Sequence, residues 1–188
     1  LPIKISLEAL QGYSRVIVEN YISCHLHKPL GQLVQKESDS LQEVDLDQAD
    51  EQDDNALHAN QLVSFGMIAR FNSLYTANLL IELLGTRITQ YEALLTQLIN
   101  TKSTPDGIQD WEYINDDLHW LLMMLQHFLT QTGYGEVGFM CNEILDASLS
   151  FAADKQKTLE AFGKIDYTAP NIDPIVRLIL LTLKLCQI

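Results

Sequence analysis

Cys24, His25 and His27 have the side-chain types and the closeness that could form part of a metal site. A structural zinc site needs four such ligands in tetrahedral geometry. On a helix, however, positions 25 and 27 point about 200° apart, because each residue turns the helix by about 100°. No second ligand cluster in the sequence is spaced to complete the site. The pattern therefore disfavours a zinc centre.

Asp116 and His119 have the spacing of half a di-iron carboxylate motif. Such a site needs a second pair of this kind and two further glutamates from facing helices. The second pair is missing, because Glu143 has no histidine three residues later. We therefore interpret the pair as a carboxylate near a helix start followed by a partly buried histidine.

Gly133, Gly135 and Gly138 have the spacing of a dinucleotide-binding loop. They follow a predicted helix, however, whereas that motif requires a preceding strand. The sequence also has no phosphate-binding glycine loop and no nucleophile elbow. We expect a protein that is not an enzyme and that uses no cofactor.

The segment 36–54 carries nine carboxylates and one lysine, so it holds about eight of the thirteen net negative charges. It has no aromatic residue, and its apolar residues are isolated, so it cannot bury enough surface to offset the entropy of ordering. We predict a long disordered loop between two helices. It is either a docking element for a basic partner or a solvated spacer. The candidate docking residues are Glu37, Asp39, Glu43, Asp45, Asp47, Asp50, Glu51, Asp53 and Asp54.

A second acidic cluster, Asp110, Glu112, Asp116 and Asp117, falls on one short helical stretch. Carboxylates near a helix N-terminus interact favourably with the helix dipole, and a solvated face explains the cluster adequately. The same four residues are a candidate docking surface for a protein partner.

Composition limits the function further. A chain of 188 residues suits one domain or a few repeat units, and a net charge of −13 argues against nucleic acid or an anionic membrane as partner. Cys24, Cys141 and Cys186 are scattered and odd in number, as in a cytosolic or nuclear protein with reduced thiols. No signal peptide is visible, and the apolar C-terminal run is too short to span a bilayer.

Helical periodicity recurs along the chain, and strand patterns are absent. The first predicted helix begins near Ser6, the second runs from Asn55 to Phe71, and the third from Leu74 to Asn100. The fourth has Asp110 as its cap, and the fifth runs from Asn142 to Ala152. A turn is predicted around Thr158–Phe162, and the last helix begins at Asp173-Pro174. The predicted core positions are Leu7, Leu10, Ile17, Tyr21 and Cys24 on the first helix, Leu57, Leu62, Phe65 and Ile68 on the second with Met67 as a further candidate, and Trp111, Trp120, Met123, Met124 and Phe128 on the fourth.

These elements predict an all-α fold, and an α-solenoid of antiparallel helix pairs fits better than a closed bundle. The last helix is apolar nearly all round, so it must be covered on more than one side. Because the chain starts without methionine and stops without a cap, we expect residues 1–188 to be a fragment of a longer helical protein.

Six blocks of the sequence carry a resemblance to a known family, and a Gly135-Glu136 turn lies between the fourth and the fifth. The blocks are VENYISCHL at 18–26, NQLVSFGMIAR at 60–70, LLGTRIT at 83–89, INDDLHWLL at 114–122, NEILD at 142–146 and PIVRLI at 174–179. In this order, with an acidic insert between the first two, they resemble the central HEAT-repeat region of the exportin-4 family of importin-β-type nuclear transport receptors. The chain departs from the family before Glu136, at Val137–Met140, where the family has a proline-rich turn, and over Phe151–Thr168.

The resemblance implies a receptor that binds cargo together with the GTP form of the Ran GTPase and shuttles between nucleus and cytoplasm. It implies nucleoporins as partners, and as cargo a hypusine-bearing translation factor and a Smad-type factor. Two alternatives stay open. The first is a generic α-solenoid scaffold that binds a protein without Ran. The second is a helical-bundle enzyme with a carboxylate metal site.

Overall fold

The computed structural model describes residues 6–27, 54–100, 105–131, 139–151 and 154–188, and this part of the chain is mostly helical. The predicted all-α class is therefore confirmed. In chain order the elements are α1 (Leu7–His25), α2 (Asp54–Ala69), a 3-10 turn (Arg70–Asn72), α3 (Ser73–Asn100), α4 (Pro105–Leu129), β1 (Thr130–Gln131), β2 (Phe139–Met140), α5 (Asn142–Ser150), α6 (Lys155–Lys164) and α7 (Pro174–Leu185).

Two of the predicted helix caps are confirmed. The Ser6 hydroxyl accepts a hydrogen bond from the Ala9 amide at 3.2 Å, and the Asp173 carboxylate accepts one from the Ile175 amide at 2.8 Å. Each bond satisfies an amide that has no partner within its own helix.

The prediction that Asp110 caps α4 was wrong, because this helix begins five residues earlier at Pro105. Proline is favourable in a first helical turn, since its φ is already close to the helical value and it has no amide to leave unpaired. The turn expected around Thr158–Phe162 is in fact the longer helix α6.

The structure differs from the sequence prediction at two connections. Most of the predicted acidic loop lies outside the described residues, but its last member, Asp54, is already the first residue of α2. Thr130–Gln131 and Phe139–Met140 pair as a short antiparallel ladder, although no strand was predicted. Two residues are too few to show the alternating pattern by which a strand is recognised.

Contacts between side chains give the directions of the helices. The Ser14 hydroxyl of α1 donates to the Ile68 carbonyl of α2 at 2.7 Å, while His25 near the end of α1 lies 6.3 Å from His58 near the start of α2. These two helices therefore run antiparallel. Trp111 at the start of α4 stacks on Tyr91 late in α3, and α4 also packs along α2.

α1 buries a different face from the predicted one. Its buried side chains are Ser14, Val18 and Ile22, whereas Leu7 and Ile17 are exposed. The helix has two apolar faces, and the one that contains Val18 and Ile22 packs against α2 and α3. Of the remaining predicted stripe, Leu10 and Tyr21 are half-buried and Cys24 is exposed.

The other predicted core positions are mostly confirmed. Leu62, Phe65, Met123, Met124 and Phe128 are buried. Ile68, Trp111 and Trp120 are half-buried, Met67 is exposed, and Leu57 lies outside the residues whose side chains are described.

The last helix, α7, is covered on more than one side, as its composition predicts. Ile175, Leu178 and Leu181 join the main core, and α7 packs along α3. Leu180 packs into a smaller core with Ala161 of α6. Among the described helices, none is both long and apolar enough to cross a bilayer.

α2 and α4 approach each other most closely at Gly66. A Cβ atom built on this glycine would lie 2.1 Å from the carbonyl oxygen of His127. One turn later, the Arg70 guanidinium donates to the carbonyls of His127 and Phe128 at 2.8 and 3.3 Å. These carbonyls lie in the last turn of α4, where no amide of the same helix can reach them. Because a Cβ atom at position 66 would overlap the His127 carbonyl, the close approach of α2 and α4 requires glycine there.

We predict that Gly66→Ala destabilises the protein by about 3 kcal/mol, because the added methyl group meets rigid backbone and the two helices must separate. Gly85→Ala is the matched control, since a Cβ there meets nothing within 4 Å. That change should stabilise by up to about 1 kcal/mol through helix propensity. Urea unfolding of both variants measures this difference, and equal effects at the two glycines would contradict the close approach.

The α6 cap makes a pH-dependent contribution to stability. The Lys157 amide and ammonium, with the Gln156 amide, lower the pKa of the Asp154 carboxyl below its ordinary 3.8. Such a group stabilises the fold above pH 3.8, and the contribution is lost as the pH falls through the lowered pKa. Asp154→Ala should therefore weaken the protein at pH 7 but have little effect near pH 2. Asp154→Asn keeps a cap that does not titrate, so thermal melts should show a smaller loss of stability between pH 7 and pH 2 for this variant than for the unchanged protein.

Candidate functional site

A buried carboxylate, Asp117 of α4, holds the end of α1 against α3. Its side chain is 2% exposed, and one of its oxygens lies 2.6 Å from the Arg87 guanidinium nitrogen Nε. The other oxygen accepts the His27 amide at 2.8 Å and contacts the His27 ring nitrogen Nδ1 at 2.9 Å. Asp117, a predicted docking residue, is therefore buried inside the protein, and its carboxylate is occupied by Arg87 and His27.

Arg87 completes the cluster from α3. Its two terminal nitrogens donate to the Gln90 side chain at 2.8 Å and to the His27 carbonyl at 3.1 Å. The His27 ring nitrogen Nδ1 lies within hydrogen-bond distance of the Asp117 carboxylate, at 2.9 Å. The same ring stacks on Tyr113 with centroids 4.6 Å apart. His27 is thus held through its amide, its carbonyl, its ring nitrogen Nδ1 and the face of its ring.

The electrostatics of this cluster suit a structural role. A carboxylate out of water needs a matching charge and further hydrogen bonds, and Asp117 has both. Removing one partner from such a pair leaves an uncompensated buried charge. We name Asp117, Arg87 and His27 the anchor cluster, because together they fix the point at which α1 ends.

The other predicted docking carboxylates of α4 differ in exposure. Asp110 is half-buried, while Glu112 and Asp116 are exposed and lie four residues apart on the same side of α4. Asp116 is 49% exposed and lies 3.7 Å from the His27 ring. Of the acidic segment only Asp54 is described, at the start of α2; Glu37, Asp39, Glu43, Asp45, Asp47, Asp50, Glu51 and Asp53 lie outside the described residues.

The histidines of the two candidate metal motifs contact protein groups. His25 contacts the Tyr21 carbonyl at 2.8 Å through Nδ1 and packs on Trp120 with centroids 4.2 Å apart. His119 is exposed, so the expectation that it is partly buried was wrong. Within the described ranges, no group of three histidine, cysteine, aspartate or glutamate side chains is arranged to hold a metal ion.

A second polar cluster, which the sequence analysis missed, joins α1 to α3. The Tyr75 hydroxyl donates to the Glu19 carboxylate, which the Arg15 side chain also contacts at 3.0 Å. The Arg15 guanidinium lies over the Tyr75 ring, 4.5 Å from its centroid. These hydrogen bonds, from Tyr75 first and then Arg15, lower the pKa of Glu19, so this carboxyl stays ionised. Nothing in the sequence pairs residues 56 positions apart.

Two apolar grooves flank α1. The groove between α1 and α3 has a volume of about 400 Å³, and the groove between α1 and α2 about 420 Å³. The α1–α3 groove is lined by Glu19, Ile22, Ser23, Leu26, His27, Leu79, Leu83 and Arg87. The α1–α2 groove is lined by Ile17, Tyr21, Asn60, Gln61, Ser64, Phe65 and Ile68. Accessible apolar surface therefore lies on both sides of α1.

A third depression lies between α5 and α6, with a volume of about 300 Å³. Leu149 and Leu159 line it and are both strongly exposed. Apolar surface is thus available on two separate parts of the described chain.

No protein-family model matches this chain.

We predict that Asp117→Asn destabilises the protein by about 3–5 kcal/mol, because it leaves the Arg87 charge buried without a counter-charge. Asp116→Asn is the matched control one residue away, and on this exposed carboxylate the change should cost less than about 1 kcal/mol. Denaturant unfolding at pH 7 compares the two variants. Similar losses would mean that the anchor cluster contributes no more than a surface pair.

Proposed function

We propose that this chain is a segment of a nuclear export receptor of the exportin-4 family, built as an α-solenoid of antiparallel HEAT-like helix pairs. In this proposal the segment is a non-catalytic scaffold that shuttles between nucleus and cytoplasm. The observation that carries it is the set of six sequence blocks, matched in order across residues 18–179 with an acidic insert between the first two.

The helix arrangement supports the solenoid part of the proposal. α1 runs antiparallel to α2, and α3 antiparallel to α4, which is the pairing that HEAT-like repeats use. Each repeat of a solenoid buries its apolar face against its neighbours. In the proposed solenoid, further helix pairs would cover the exposed apolar residues of α1 and of the α5–α6 surface.

Charge supports the choice of partners. Ran presents basic surfaces and hypusine is a long cationic side chain, so carboxylates are their physical complement. Carboxylates at the rim of an interface mainly raise the rate of encounter and select among partners. We therefore propose that the acidic segment 36–54 assists the docking of Ran in its GTP form, or of a hypusine-bearing or Smad-type cargo. Nucleoporins are the further partners that this class of receptor implies.

A generic protein-interaction scaffold without Ran dependence is the second candidate. The grooves on both sides of α1 favour it, because they offer apolar binding surface that requires no particular charge on the partner. The two candidates differ in one property, which is whether binding depends on the nucleotide carried by Ran.

We predict that the 188-residue chain binds Ran loaded with a non-hydrolysable GTP analogue at least about tenfold more tightly than Ran loaded with GDP. Hypusinated cargo should strengthen this binding, because cargo and Ran bind cooperatively. Replacing the nine carboxylates of 36–54 by their amides keeps length and polarity, and it should weaken binding at low salt but much less at high salt. Isothermal titration calorimetry measures the binding of both nucleotide forms, with and without cargo, for the chain and its amide variant at low and high salt.

Equal binding of the two nucleotide forms, or no binding to either, would contradict the export-receptor proposal for this segment. GTP-selective binding that the amide variant leaves unchanged would keep the receptor and remove the docking role of the acidic segment.

A further inference from the structure

The α1–α3 groove has an apolar floor and carboxylates along its edges. Ile22 of α1 and Leu26 just after it line the floor with Leu79 and Leu83 of α3. The α1 part of the groove, from Glu19 to His25, is about 9 Å long, and Leu26 and His27 extend the groove beyond the helix end. The whole groove accommodates apolar side chains that project from one face of a helix at positions i, i+4 and i+7, which span about 10 Å.

Among the described residues around the groove, the exposed charges are mainly negative. Glu19 lies on the α1 edge, and Glu82, which is exposed, lies on α3 between Leu79 and Leu83. Asp116 is exposed near the His27 end. Of the two arginines nearby, Arg15 contacts Glu19, and Arg87 is buried against Asp117. The arginines therefore offer little free positive charge to a partner.

From this combination we infer that the α1–α3 groove is a docking site for a basic amphipathic helix of another protein. Leucine-like side chains of that helix enter between α1 and α3, and its lysines or arginines face the exposed carboxylates Glu82 and Asp116. A second copy of this chain suits the groove less well, because each copy carries a net charge of −13. The inference does not depend on Ran or on the export-receptor proposal.

The test uses a fluorescein-labelled 15-residue peptide of leucine and lysine, with leucines on one helical face. A scrambled peptide of the same composition and a leucine–glutamate peptide are the controls. Fluorescence anisotropy with the full chain should give binding at least about tenfold tighter for the amphipathic lysine peptide than for either control. The scrambled peptide is essential, because a strongly acidic protein attracts any cationic peptide.

Ser23→Trp locates the binding site. Ser23 is exposed at the edge of the groove, so tryptophan there fills the groove without removing a core residue, and peptide affinity should fall about tenfold or more. Asn20→Trp is the matched control, because Asn20 is exposed on α1 and does not line the groove; its effect should be less than about twofold. Glu82→Lys should weaken binding about fivefold, while Glu160→Lys, the same charge change on the exposed face of α6, should have little effect.

Four results would overturn the inference. Equal binding of the scrambled peptide, or no effect of Ser23→Trp, would reduce the interaction to attraction by net charge. A dimer in sedimentation that Ser23→Trp dissociates would assign the groove to a second copy. Tighter peptide binding after the combined changes Leu30→Ser, Leu33→Ser and Val34→Ser would show that residues 30–34 of the same chain compete with the peptide for the groove.

Discussion

The buried carboxylate of Asp117 is the constraint on which the arrangement of α1, α3 and α4 depends. A carboxylate in the interior costs several kcal/mol unless charge and hydrogen bonds compensate it. Arg87 supplies the charge from α3, and the amide and ring of His27 supply the hydrogen bonds from the end of α1. Satisfying one side chain therefore fixes three helices relative to one another. A purely apolar contact would allow them to slide, because the hydrophobic effect is not directional.

The candidate binding surface follows from this constraint. Because the end of α1 is held at Arg87, and its middle is held at Tyr75 through Glu19, α1 lies alongside α3 at a spacing that leaves a groove between them. α4 and α7 pack against α3 as well. Groove and anchor cluster are thus consequences of the same packing.

The sequence predicted what local patterns determine. Helix class, the capping residues Ser6 and Asp173, and the need to cover α7 on several sides all follow from residue types at short spacing. It failed where distant residues decide. In the sequence, nothing distinguishes the buried Asp117 from its exposed neighbour Asp116, because Arg87 and His27 contact it only in the folded chain. α1 has two apolar faces, and the helices that pack against it determine which face is buried. Gly66 likewise gives no local sign that another helix crosses there.

The amide of His27 offers the most direct test of the central claim, because its hydrogen bond to Asp117 holds the end of α1 to α4. Native-state hydrogen exchange reports how often that bond opens. If the anchor cluster fixes α1, the His27 amide should be protected to a degree similar to the amides in the middle of α3. Exchange of the His27 amide at the rate of an unstructured peptide, with α3 fully protected, would contradict the account.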